Sequence, residues 1–162
     1  HYFKSGLPFS GPCFPRDNLA YSKFFKDYSV KNDIPLLVDK TNKQVLKAHL
    51  NEIKKICFKN NVKQVLIIGS SYKENTPVID HSFGEKVITN LFNHTKISVF
   101  DFLDQKFLKK KRPNINYYNK IKNINLNHID LIVIAHNDEK LLKYKQEFLK
   151  IKNIYDPWNL IT

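Results

Sequence analysis

The sequence predicts an α/β fold: a parallel sheet flanked by helices, preceded by a helical arm and a loop. Two observations carry this expectation. Short apolar runs of strand type recur at Val65–Gly69, Ile97–Asp101 and Leu131–Ala135, and helix-spaced apolar residues fall before, between and after them. Strands of this kind alternating with helices imply parallel pairing. The chain has 162 residues, 42% of them hydrophobic and 13% aromatic, which is enough apolar material to build a core.

Residues 1–17 read as a loop, because three prolines and two glycines in this stretch exclude a long regular element. Asp17 or Asn18 is then placed to cap a short helix through Leu19, Ala20, Phe24 and Phe25. Val45, Leu46, His49, Leu50, Ile53, Ile56 and Cys57 repeat at helical spacing, which predicts a long helix from after Pro35 to Asn60-Asn61. The first strand ends at Gly69, and Ser82 opens a helix through Phe83, Val87, Ile88 and Leu91. After the third strand a helix runs through Leu141, Leu142, Tyr144 and Phe148, and Ile154-Tyr155 closes the series. The stretch from Leu103 to Asn127, with its Lys109–Arg112 basic run, reads as a solvated loop or frayed helix. The division expected is an arm over residues 1–61 and a sheet domain over 62–162. Ligands of such sheets bind beyond the carboxyl ends of the strands, which puts residues 69–76 at a binding edge.

The formal charge of +12 suits polyanionic partners, yet most lysines lie on ordinary helix faces and no groove-reading motif accompanies them. Nucleic acid is therefore not an expected partner. Cys13 and Cys57 do not form a disulfide framework, so a reducing, cytoplasmic setting is expected. Even the longest apolar runs, Val65–Gly69 among them, are too short to span a bilayer. The chain contains no Met and begins at His1, which reads as a piece of something longer. No metal is expected.

Two places can carry chemistry. Cys13 lies in the Pro/Gly-rich loop, where a substrate can reach it, and Arg16 nearby favours its nucleophilic thiolate. An incidental loop cysteine would look the same. Tyr72-Lys73 follow Gly69 in a strand-to-helix loop, where a lysine meets a phosphate or sugar hydroxyl as readily as it stays a surface residue. G-x-G-x-x-G, the dinucleotide fingerprint, is absent.

The run Gly6-Leu-Pro-Phe-Ser-Gly-Pro-Cys-Phe-Pro-Arg-Asp17 resembles the active-site signature of the UDP-glucose/GDP-mannose dehydrogenase family. Val65 to Ser82 is similar to a later family segment, in which a strand and glycine precede Tyr/Phe-Lys and Asn-Thr. Asp130-Leu-Ile-Val-Ile-Ala-His136 and Ile154-Tyr-Asp156 are similar to its closing strands. The order and spacing agree along essentially the whole chain.

The resemblance implies a carboxyl-terminal part: the catalytic-cysteine loop, a central dimerisation helix and a Rossmann-like domain that binds the nucleotide sugar. It implies NAD as cofactor, a homodimer, and oxidation of a sugar C6 alcohol to a carboxylate, a reaction that supplies polysaccharide biosynthesis. By the same resemblance Cys13 is the nucleophile, and Asp17 assists the water and the general base. Cys13, Phe14, Pro15 and Arg16 touch the cofactor. Lys4 to Ser10 (Gly6, Phe9 and Ser10 among them), Gly11, Tyr72 and Lys73 contact the nucleotide sugar.

The amino-terminal NAD-binding domain is not in this chain, so the chain alone should transfer no hydride. Pro8 and Ser10 stand where the family usually has glycine, and Asp80-His81-Ser82 replaces an Arg-Glu-Ser. Those departures keep a second class open, a nucleotide-sugar-binding relative without turnover; a basic nucleic-acid-binding domain rests on charge alone.

Overall fold

The computed structural model of the protein describes residues 6–103 and 106–162. Helix α1 spans Cys13–Asp27 and α2 spans Ile34–Lys59, followed by β1 (Gln64–Ile68), α3 (Phe83–Leu91) and β2 (Lys96–Phe100). A short α4 (Lys106–Lys111), β3 (Asn116–Tyr118), β4 (Leu131–Ile134), α5 (Lys145–Phe148) and β5 (Asn153–Tyr155) complete the chain. The five strands form one sheet in the order β3-β2-β1-β4-β5, and every neighbouring pair is parallel. After β3 the chain crosses back to β4 on the other side of β1. The strand order therefore reverses between β1 and β4, the switch point at which sheets of this kind open a ligand crevice.

The central strands are buried on both faces, as their continuous apolar runs require. Val65, Ile67, Val99 and Val133 point to the layer that contains α3 and Ile53 of α2. Leu66, Ile68, Ile132 and Ile134 point to the opposite layer, with Leu141, Phe148 and Ile161. Asp130 pins the sheet where it begins: its Oδ2 accepts the N–H groups of Lys63 and Gln64 at 2.8 and 2.9 Å. The carboxyl half of α2 thus belongs to the core, while its amino-terminal half lies against α1 and leaves Ile34 and Leu37 exposed.

The structure corrects the sequence at three places. The expected loop over residues 1–17 ends at Pro12, and Cys13 to Asp17 form the first turn of α1. Neither Asp17 nor Asn18 caps that helix; Pro12 stands at its N-cap with no side-chain bond. Prolines are tolerated here, because a helix's first N–H groups have no intrahelical acceptor and the missing donor of Pro15 costs nothing. Secondly, the 103–127 stretch is not a solvated loop. It holds α4, the edge strand β3 and a 3₁₀ turn, anchored by the buried Leu108, Ile115, Ile121 and Ile124. Four apolar anchors separated by Lys and Asn give no sustained period to read. Thirdly, the helix expected through Leu141 and Phe148 divides into a 3₁₀ turn, Glu139–Tyr144, and α5. The long helix meets its expected bounds within a few residues, because the Asp33 carboxylate caps it by accepting the Leu36 N–H, with Pro35 in the first turn. No helix among the described residues is long and apolar enough to cross a membrane.

Candidate active site

The loop before α1 turns at two glycines. Gly6 has φ +149° and Gly11 has φ +86°, both conformations that L side chains rarely adopt. A Cβ at Gly6 would overlap the Trp158 indole, and one at Gly11 would lie 2.6 Å from the Tyr72 ring. Pro8 and Ser10 have no positive φ, so the loop follows its path without glycine at either position. Three contacts hold it. The Gly11 N–H donates to the carbonyl of Asp80 at 3.1 Å, Asn42 Nδ2 donates to the Phe9 carbonyl at 2.9 Å, and the Phe9 ring packs on Phe14. It is thus the backbone of Asp80, not its carboxylate, that engages the loop.

Held in this way, Leu7 to Ser10 meet the turn that follows β1. Phe9, Ser10, Tyr72 and Lys73 line one cavity of about 530 Å³, together with Glu74, Phe83, Ala135, His136, Asn137 and Trp158. It opens at the carboxyl ends of β1 and β4, the switch point. Gly6 and Gly11 shape its wall through Trp158 and Tyr72. Lys4 and Ser5 lie outside the described residues.

A second cavity of about 540 Å³ lies across the same loop, against α1, α2 and α3, and takes in Pro15 and Arg16. Phe14 and Asp17 line a separate hollow on the outer face of α1 with Tyr21 and Phe24. Cys13 lines none of these; its side chain is exposed on the first turn of α1. Cys13, Arg16 and Asp17 are at i, i+3 and i+4, so they share one helix face. Arg16 Nε donates to Asp17 Oδ1 at 2.8 Å. The Arg16 guanidinium is held above its ordinary value, first by that hydrogen bond, then by the charge of Asp17 and then by that of Cys13. The sequence therefore placed a nucleophile-type residue correctly outside the core but in the wrong secondary structure.

Behind the cavity lies a buried polar network that sequence reasoning did not single out. Asp101, just past β2, accepts the N–H and the hydroxyl of Ser70 at 3.0 and 2.8 Å. Ser82 Oγ donates to the Ser70 carbonyl at 2.7 Å and caps α3 by accepting the Glu85 N–H. Ser71 Oγ donates to the Lys73 carbonyl at 2.7 Å and lies 3.4 Å from Nε2 of His136. The signal available for His136 was its place immediately after the third apolar strand, where the switch-point rule puts ligand contacts. Trp158 has no such signal; it reaches the cavity because Asp156 accepts its N–H and those of Ile161 and Thr162.

These features define a parallel α/β domain with a cleft at its switch point and an exposed thiol on the adjoining helix. In sequence the chain is 26% identical over 160 residues to UDP-glucose 6-dehydrogenase of Rickettsia felis, matching 96% of this chain and 34% of the relative. In fold it is similar to GDP-mannose dehydrogenase from Pseudomonas aeruginosa, with TM-score 0.81 and 16% identity over 99% of this chain and 38% of that one. A UDP-glucose dehydrogenase from Pyrobaculum islandicum gives TM-score 0.76 and 19% identity over 98% and 40%. No protein-family model matches the chain. The chain is thus similar in sequence to a UDP-glucose 6-dehydrogenase and in fold to nucleotide-sugar dehydrogenases, and it spans about a third of the length of the curated relative it matches.

Proposed function

We propose that the chain is the carboxyl-terminal portion of an NAD-dependent nucleotide-sugar 6-dehydrogenase of the UDP-glucose to UDP-glucuronate type. The observation that carries this reading is the meeting, in one cavity, of two segments more than sixty residues apart, Phe9-Ser10 and Tyr72-Lys73. They are the same two segments that resemble the family's substrate contacts. Within the cavity, Lys73 supplies positive charge for a diphosphate, and the Tyr72, Phe9 and Trp158 rings supply apolar wall.

The chemistry assigned to Cys13 follows from what an aldehyde lacks, since it gives up a hydride readily only once a nucleophile has made its carbon tetrahedral. The Cys13 thiolate adds to the sugar aldehyde carbon, a C–S bond forms, and the carbonyl oxygen takes a proton. Loss of hydride and of that proton leaves a thioester on Cys13. Water then adds, the C–S bond breaks, and the carboxylate and the free thiol separate. Asp17, four residues along the same face, is assigned as the acceptor of that water's proton.

The sheet edge of this chain does not fit a dinucleotide phosphate. Fourteen residues, 69–82, separate β1 from α3, and the N-terminus of α3 already holds the Ser82 hydroxyl and the Glu85 carboxylate in its first turn. What the chain offers NAD is the first turn of α1, where Phe14 and Arg16 are exposed; the rest of the binding falls to a domain outside this sequence. NAD supplies the hydride acceptor. The exposed apolar surface of α1 and the start of α2 is read as the seat of a second copy.

The test is to assay the whole enzyme, with and without Cys13→Ser, for UDP-glucuronate formed from UDP-glucose and NAD. The substituted enzyme is expected to lose sugar-acid formation by several orders of magnitude. Undiminished formation would remove Cys13 from the chemistry. Binding of UDP-glucose by an unsubstituted enzyme that makes no sugar acid would indicate the non-catalytic relative.

A further inference from the structure

His136 closes β4 and lies at the switch point, in the wall of the cavity, and only 6% of its surface is exposed. Its ring is fixed from behind. A Cβ at Gly69 (φ +94°) would overlap Cδ2, Nε2 and Cε1 of His136, so the face of the imidazole lies against the backbone at the end of β1.

The neighbours of Nε2 favour one tautomer. Ser71 has one hydroxyl proton, and it goes to the carbonyl of Lys73 at 2.7 Å. Ser71 Oγ, 3.4 Å from Nε2, is therefore an acceptor toward the ring, as is Asp101 Oδ2 at 3.8 Å. The Ser71 contact is made with the proton on Nε2, and the nearby Asp101 carboxylate favours the same placement. In the neutral imidazole Nδ1 then carries a bare lone pair, and no described residue bonds to it.

We propose that Nδ1 of His136 is a hydrogen-bond acceptor inside the cavity, taking an O–H or N–H donor of the bound nucleotide sugar. This rests on reading the cavity as the nucleotide-sugar site, and it adds an acceptor where that reading supplied only a lysine and rings. A phosphate oxygen is the wrong partner for it, because two acceptors repel; the donor is a sugar or ribose hydroxyl or a base N–H.

The groups around the ring are mixed. Asp101, Asp138 and Glu74 favour the charged imidazolium and Lys73 shares the cavity, but burial is the larger influence and holds His136 below its ordinary value of 6.5. The ring is thus neutral, and an acceptor, at neutral pH.

The experiment is nitrogen NMR on the chain with ¹⁵N-labelled histidine, with the His136 signals identified by their loss in His136→Gln. Without ligand, Nδ1 is expected at the position of an unprotonated imidazole nitrogen and Nε2 at that of a protonated one. Saturating UDP-glucose should move Nδ1 toward the protonated range and leave Nε2 in place. UDP serves as the second arm: it moves Nδ1 if the donor is on the nucleoside, and leaves it unmoved if the donor is on the sugar. Affinity for UDP-glucose should also weaken by about tenfold, the equivalent of one such bond, as pH falls from above 6.5 through the value of His136. An Nδ1 signal that stays put at saturation, or a proton found on Nδ1 in the free chain, overturns the inference and leaves the site reading intact. A chain that binds no UDP-glucose at any pH overturns both.

Discussion

The hydroxyl of Tyr155 on β5 lies 2.5 Å from Nδ1 of His49 on α2, joining the last strand to the central helix across 106 residues of sequence. The same imidazole bonds to the backbone of Gly6 and sets its edge against Phe83. One side chain therefore ties together the helix, the sheet and the loop that precedes α1.

This arrangement makes stability depend on pH. Burial lowers the His49 pKa below its ordinary 6.5, and it does the same to His136. Below 6.5 the unfolded chain binds protons that the folded chain refuses, so the folded state loses ground. The stability contributed is complete above 6.5 and declines as pH falls from there through the two folded values. Asp33, also lowered from 3.8, keeps its contribution throughout this range and loses it only at more acid pH. The urea midpoint is expected to be level from pH 8 to 7 and to fall between 6.5 and 5. Tyr155→Phe should cost about 1 kcal/mol at pH 8, because it leaves Nδ1 without its donor. A midpoint constant down to pH 5 would contradict the assignment.

Gly11→Ala tests the loop. The substitution meets φ +86° and a ring carbon of Tyr72 at 2.6 Å together, so it should destabilise by about 1–3 kcal/mol and displace Tyr72 from the cavity. Ser10→Ala changes a residue with an ordinary backbone and should stay within about 0.5 kcal/mol. Denaturant unfolding of the two variants gives the comparison, and equal effects would show that Gly11 is not the pivot.

The sheet was largely legible because Val65–Ile68 and Leu131–Ile134 are unbroken apolar runs, the pattern that burial on both faces demands. Gly69 was legible as the end of a strand. Its reason was not: the imidazole that occupies the space of its absent Cβ comes from a residue 67 positions later. β3 was invisible because Asn116-Tyr117-Tyr118 are only partly buried at a sheet edge and too few to show alternation. The first turn of α1 was hidden by Pro12 and Pro15, which usually signal a loop and are harmless only within a helix's first turn. Cys13 was legible as a residue outside the core, and Tyr72-Lys73 as part of the turn that follows the first strand. That Trp158 lines the cavity depends on how the chain closes after β5.

The two cysteines should differ in reactivity by environment. Cys13 is exposed on the first turn of α1, whereas Cys57 is half-buried among the residues that pack α2 on the core. Burial pushes the Cys57 thiol above its ordinary 9.0, which reduces its thiolate at any given pH. Iodoacetamide at pH 8, followed by peptide mass spectrometry, should modify Cys13 at least tenfold faster than Cys57 in the folded chain. Urea should remove most of the difference. Faster modification of Cys57 would mean that α2 does not pack as described.

The outer face of α1 is the last feature that asks for a partner. Tyr21, Phe24 and Tyr28 stack along it with ring centroids 5.9 and 4.4 Å apart, and Tyr28 is 70% exposed. Ile34 and Leu37 extend the patch onto α2, at 62% and 63%. Exposed apolar surface of this extent is unfavourable in water and is relieved by covering it. If a second copy covers it, light scattering should give twice the chain mass of 19.1 kDa. Phe24→Asp with Tyr28→Lys should return the mass to one chain, with the far-ultraviolet circular dichroism unchanged, because neither ring contributes to the core. A single-chain mass for the unsubstituted protein at all concentrations would assign the patch to some other covering.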